Sequence, residues 1–293
     1  MIDQALQKRV QTYLDLAELS RNDHSVATIH DFRVSARNLL AVEPLLRCVS
    51  ETSQWKKMIR KYLKSLSQLR DTQVLHGNLN GHDQFDTLLL EQMKHSLEKW
   101  RTISKDIADV HFQNKLNASI EIYCSDIKAD PPLFNRTAAS QWSKTFQKVK
   151  MAFQQADHTD PPSLHKLRIR YKSMRYLATF LHGAGVIDVL DIPALKYWQT
   201  LLGDIQDLEV GIKWIEESSN STDMIKQLKG ESVNLRQKYS DQEEQLEAFI
   251  TKIDRMVRSG IEKLELPTQI AVSYTHLRAH ETRHDLVCRL LLE

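Results

Sequence analysis

At 293 residues the chain is long enough for one large domain or two smaller ones, and its net charge of +2 announces no polyanion partner. Eight glycines and seven prolines are too few for a turn-rich β protein and suit long, uninterrupted helices. Three cysteines without metal-ligand spacing exclude a disulfide framework and point to a reducing, cytoplasmic home, while no apolar run approaches the ~18 residues of a membrane span.

Helical spacing begins at once. Ile2, Leu6, Val10, Tyr13, Leu14 and Ala17 mark a helix over 2–20, and no basic-then-apolar leader of the signal-peptide kind precedes it. After a polar break from Ser20 to Ser25, residues 26–49 form a second helix, which Pro44 should kink or shorten by removing a backbone donor. On this helix His30, Arg33 and Arg37 follow i, i+3, i+7 spacing, with Ile29, Phe32, Ala36 and Leu39 running alongside. Residues 52–76 form a third helix, with Trp55, Ile59, Tyr62, Leu66 and Leu69 on one face and Lys57, Arg60, Lys61 and Lys64 on another. Gly77 to Gly81 is a turn, and helices over 83–107 and 110–128 follow without a basic stripe.

Asp130-Pro131-Pro132 divides the chain into halves, 1–130 and 131–266, because proline and the residue before it both resist helix. The order then recurs. A helix over 135–157 carries Arg136, Lys144 and Lys148, and Asp160-Pro161-Pro162-Ser163 starts a second histidine helix over 163–182, ended by Gly183 and Gly185. There His165, Arg168, Lys172 and Arg175 form a stripe at i, i+3, i+7, i+10. Leu164, Leu167, Tyr171, Met174 and Leu181 form an apolar stripe about 100° round the same helix, so the cations border the core face. A helix over 190–218 and long charged helices over 222–265 complete the half.

His30 and His165 are 135 residues apart, and Leu66 to Val74 matches Leu202 to Val210 at an offset of 136. Two matches at nearly one offset indicate internal duplication in an all-α protein. Residues 267–293 are set apart as a non-native or disordered tail, since 272–293 has no counterpart in the first half and reads like translated adaptor DNA. His280-Glu281-Thr282-Arg283-His284 there fits a zinc-protease pattern, but only nine residues follow it, too few for the usual context of a third ligand.

The small net charge hides segregation. Windows 54–70, 131–156 and 163–182 hold fifteen Lys and Arg and no acid, leaving a net −13 on the rest of the chain. Cations beside an apolar seam cannot lie unpaired in a core, so they line a groove or a solvated channel between the halves. The natural occupant is a polyanion: Arg grips phosphate oxygens with a planar fork, Lys acts as a point charge, and a histidine near phosphate favours its protonated form. Asp71 and Asp207 pair with the basic stripes or cap a helix. No P-loop, paired-carboxylate metal site or nucleophile–base pair is readable, so neither a cofactor nor a metal is expected. The five tryptophans are scattered and suit packing better than base stacking.

At these residues the chain resembles the CHAD family, the conserved histidine α-helical domain. The resemblance rests on His-x-x-Arg-x-x-x-Arg/Lys near the start of each half and Leu-x-x-x-x-Asp-x-x-Val downstream, and covers about 1–266. The family tends to carry basic residues where this chain has Asn38 and Leu40. The resemblance implies two four-helix bundles related by a pseudo-two-fold axis about a basic central cleft or pore. It implies binding of inorganic polyphosphate, at polyphosphate granules among other places, without catalysis. His30, Arg33, Arg37, His165, Arg168, Lys172 and Arg175 would grip the phosphates, and Lys57, Arg60, Lys61, Lys64, Arg136, Lys144 and Lys148 would extend the basic surface. Two other readings stand beside it: a nucleic-acid-binding helical module and a hydrolase of phosphate compounds.

Overall fold

A computed structural model describes residues 1–79, 83–107, 109–218 and 221–265. In order, the helices are α1 (Ile2–Asn22), α2 (Val26–Leu46), α3 (Ser53–Asn78), α4 (Asp83–Ile103), α5 (Val110–Ala129), α6 (Pro132–Gln154), α7 (Pro161–Gly183), α8 (Ile192–Ser218), α9 (Thr222–Asp241) and α10 (Glu243–Glu265). A 3₁₀ turn, Ser104–Asp106, follows α4, and no strand occurs among the described residues. The all-α expectation holds. The helix number differs from the four per half that the resemblance implies: among the described residues five helices precede the Pro131-Pro132 break and five follow it. The zinc-protease pattern and the rest of the tail lie outside the described residues.

Each amphipathic stripe does what its spacing requires. Ile29, Phe32, Ala36 and Leu39 of α2 and Leu167, Tyr171, Met174 and Leu181 of α7 are completely buried. They belong to one continuous apolar cluster that runs from Leu6 of α1 to Ile261 of α10. Each such Leu, Ile or Phe contributes roughly 1.5–3 kcal/mol on burial, and this holds the two histidine helices in place. Packing follows one neighbour order in both halves: α1–α2–α3–α4 with α5 laid back on α1, then α6–α7–α8–α9 with α10 laid back on α6. Across the halves α2 meets α7 and α6, and α3 meets α8.

A second, separate apolar cluster closes the α3–α8 side. Leu75, Leu79, Phe85 and Leu89 from the α3–α4 hairpin pack with Ile212, Ile215, Met224 and Leu228 from the α8–α9 hairpin. The two halves therefore meet along α2 and α7 and again at α3 and α8, with a cavity between these contacts.

Helix ends explain the differences from the sequence boundaries. Pro44 sits in the last turn of α2, which stops at Leu46 instead of continuing to 49. Pro161 and Pro162 occupy the first turn of α7, where their missing amides cost no bond. The end of α7 uses Gly185, not Gly183: Gly185 has φ +78°, its amide donates to the His182 carbonyl at 3.0 Å, and the Val186 amide donates to the Leu181 carbonyl at 2.9 Å. No helix among the described residues is long and apolar enough to cross a membrane.

Candidate anion-binding site

The apolar stripe of α7 faces the core, so its basic stripe, about 100° away, is turned along the seam with α2. Local chemistry sets the entry of both helices. Ser25 caps α2 by accepting the Thr28 amide at 3.2 Å, and the Ser163 hydroxyl accepts the Asp157 amide at 2.9 Å ahead of α7. His30 and His165 follow within the first two turns of their helices.

The seam opens into a cavity of ≈ 610 Å³ walled by α2, α3, α7 and α8. His30, Arg33 and Arg37 line it from the first half, and His165, Arg168 and Lys172 from the second. Six of the seven residues expected to grip phosphate thus converge on one space. Arg37, His165, Arg168 and Lys172 also line a second cavity of ≈ 610 Å³, where Arg60 of α3 and Lys148 of α6 join them. Tyr176 forms part of both walls.

The seventh residue, Arg175, is half-buried and its guanidinium stacks 4.9 Å over the Tyr176 ring. Lys57, Arg60, Lys61 and Lys64 come together with Lys99 of α4 in a shallow groove of ≈ 460 Å³. Two predicted residues are elsewhere. Arg136 is exposed and ion-paired with Asp130 at the α5–α6 junction, and Lys144 is exposed on α6.

Confined positive charge shapes the electrostatics. Burial, with Arg168 and Arg37 close by, pushes the Lys172 ammonium down to about 7. Burial also lowers Arg33 to about 10, with Arg37 adding to the shift and Asp71 opposing it. Both histidines titrate below the usual imidazole range, through burial and then through Arg70 for His30 and Arg168 for His165. The cations here lack enough counter-charge, which is the condition an entering anion relieves.

The cavity is not purely basic. Arg168 Nη2 lies 3.5 Å from Asp207 Oδ1, and Asp71 and Asp204 line the same space. Loss of part of their hydration to the protein packed around them, aided in each case by Asp207, raises Asp204, and raises Asp71 despite the nearby Arg33, although both keep solvent on one side. Asp207 therefore pairs with its basic stripe, Asp71 stands in the field of Arg33 without closing an ion pair among the described residues, and neither caps a helix, since each sits well inside its helix.

Several wall residues were not singled out from sequence. Arg70 lines the cavity, as do Gln199 and Gln206. A signal existed for two of them. Arg70 and Gln206 both immediately precede the aspartate of the matching Leu-x-x-x-x-Asp-x-x-Val stretches, so the sequence match aligns them on α3 and α8. Gly203 is a third: a side chain there would begin 3.9 Å from the Arg168 guanidinium, so its absence leaves the arginine space.

No curated protein matches the chain. The crystal structure of the CHAD domain from the plant Ricinus communis is similar in fold, with a TM-score of 0.58 at 17% identity over 89% of this chain and 92% of that one. The family model of the CHAD domain matches residues 4–216. With that match spanning most of the sequence and both histidine helices, the chain belongs to the CHAD domain family.

Proposed function

We propose that this protein binds inorganic polyphosphate, without turning it over, in the cavity between α2, α3, α7 and α8. The observation that carries the reading is the convergence of His30, Arg33 and Arg37 with His165, Arg168 and Lys172 on one space. A linear chain of phosphates matches it better than a single anion, because the cations are spread along two helices and continue through Arg60 and Lys148 into the adjoining cavity. Association with the CHAD family, in which polyphosphate binding is the general expectation, supports the same ligand. The reading places the protein in the cytoplasm, at polyphosphate granules where these form.

Duplex or single-stranded nucleic acid offers the same phosphates and is the competitor to exclude. Single strands usually gain from exposed aromatic rings, and the aromatic ring shared by the two cavity walls, Tyr176, is buried. A competition titration at physiological salt tests this, with labelled polyphosphate displaced by unlabelled polyphosphate, duplex or single-stranded oligonucleotide. Polyphosphate should compete at least about tenfold better per phosphate, a difference of roughly 1.4 kcal/mol. Equal competition by oligonucleotides would favour the nucleic-acid module. Phosphate release in the presence of Mg²⁺ or Mn²⁺ would overturn the non-catalytic part.

A further inference from the structure

A cavity for phosphate has no evident use for carboxylates, yet Asp71 and Asp207 occupy matching places in it. Neither is a core residue. Asp71 is exposed, and the Asp207 side chain retains 35% of its accessibility. Asp207 makes a long single-point pair with Arg168 at 3.5 Å, not a bidentate fork, and Arg168 Nε has no hydrogen-bond partner among the described residues. Asp71 stands in the field of Arg33, Arg168 and Arg70, with Arg33 the strongest of these. So the arginine three residues after His165 is paired with a carboxylate of its own half, while Asp71 lines the same space at the matching place of the first half.

We propose that Asp207 is the resident counter-ion of the empty site, which an entering phosphate chain must displace from Arg168, and that this displacement excludes single phosphates. The inference rests on the polyphosphate reading and deepens it. A tethered carboxylate competes at an effective concentration of about millimolar or more, so one orthophosphate gains little by replacing it. A chain meets the same cost but also gathers Arg33, Arg37, Arg70 and Lys172, so it alone gains overall. Asp207 has solvent on one side and can turn into it when displaced.

Calorimetric titration of the full chain with orthophosphate, tripolyphosphate and long-chain polyphosphate tests this in wild type, Asp207→Asn and Asp71→Asn. Asparagine keeps the shape and an acceptor but removes the charge. Asp207→Asn should tighten orthophosphate by about tenfold, as expected when a direct ionic competitor is lost. Asp71→Asn and Asp204→Asn remove the same charge from the cavity wall without a direct arginine pair, and should tighten it much less. Orthophosphate affinity unchanged or weakened in folded Asp207→Asn, or equal tightening by Asp71→Asn or Asp204→Asn, overturns the proposal. If Asp207→Asn does not fold, Asp207→Ser carries the same test. Wild type that fails to bind the long chain instead overturns the polyphosphate reading itself.

Discussion

Arg9 Nη2, on the first helix of the chain, donates to the carbonyl oxygen of Tyr176 at 3.2 Å, bridging the two halves beside the cavity. Its other terminal nitrogen donates to the Asn38 carbonyl at 2.7 Å, and the guanidinium lies 5.1 Å over the Phe180 ring. Asn38 follows Arg37 and Tyr176 follows Arg175, so one side chain sets the spacing between the two basic stripes. Burial pulls this arginine down only to about 10, so it stays charged at neutral pH.

Arg9→Met should therefore cost about 2–3 kcal/mol and several degrees of melting temperature, since two carbonyls lose charge-assisted bonds. Arg9→Lys should recover only part of this, because an ammonium cannot reproduce the planar fork. Thermal denaturation measures the loss. Polyphosphate affinity should fall as well, although Arg9 does not contact the proposed ligand position.

Lys172 couples stability to pH. Its folded value of about 7 is below the 10.5 of the free side chain, so the unfolded chain holds more protons between those limits. Stability without ligand should rise as pH increases from about 7 towards 10, and the penalty is fully present below 7. Lys172→Met should accordingly stabilise the empty protein at pH 7 and below by roughly 1–2 kcal/mol once water in the cavity is allowed for, and so raise its melting temperature. The same change should weaken polyphosphate binding. A functional site that destabilises its own scaffold predicts this opposition; calorimetry at several pH values reads both quantities.

Binding should take up protons for the same reason. Phosphates favour the charged forms of Lys172, His30 and His165, all lowered in the empty site. Affinity should be greatest below pH 7 and decline as pH rises through about 7, the value at which free Lys172 loses its proton. Titrations in buffers of different ionisation enthalpy measure the uptake; a pH-independent affinity with no proton uptake would contradict it.

Two glycines predict opposite outcomes. A Cβ at Gly260 of α10 would lie 2.0 Å from the Val186 carbonyl oxygen, which is backbone and cannot turn away. Gly260→Ala should destabilise by about 2–4 kcal/mol, because α10 must shift off the segment after α7. At Gly203 a Cβ would rest 3.9 Å from Arg168, an ordinary contact, so Gly203→Ala should stabilise α8 by about 0.5–1 kcal/mol. Chemical denaturation of the two variants measures both.

The residues that point into the seam were legible because a helix obeys one period. Once Leu164, Leu167 and Tyr171 define the buried stripe of α7, the direction of Arg168 and Lys172 follows, and Ile29 and Phe32 do the same for Arg33 on α2. Distance across the fold has no such local rule. Nothing near Arg136 distinguishes it from Lys148, yet one pairs with Asp130 and the other lines a cavity wall. Arg70 escaped because the carboxylate that acts on it most strongly, Asp207, lies on a helix of the other half, as did the loose Arg168–Asp207 pair, which closes only when α7 packs on α8. Helix number per half was misjudged because the resemblance implied four, while the apolar spacing itself already marks five segments before Pro131.

In the proposed complex, cations from both halves grip one phosphate chain. Titration of wild type, Arg168→Ala/Lys172→Ala and Arg33→Ala/Arg37→Ala with long-chain polyphosphate, at two salt concentrations, decides it. Wild type should bind stoichiometrically, each double variant should lose at least about a hundredfold, and the salt dependence should become shallower as charged contacts are removed. Polyphosphate binding of equal strength in wild type and both folded double variants would contradict it.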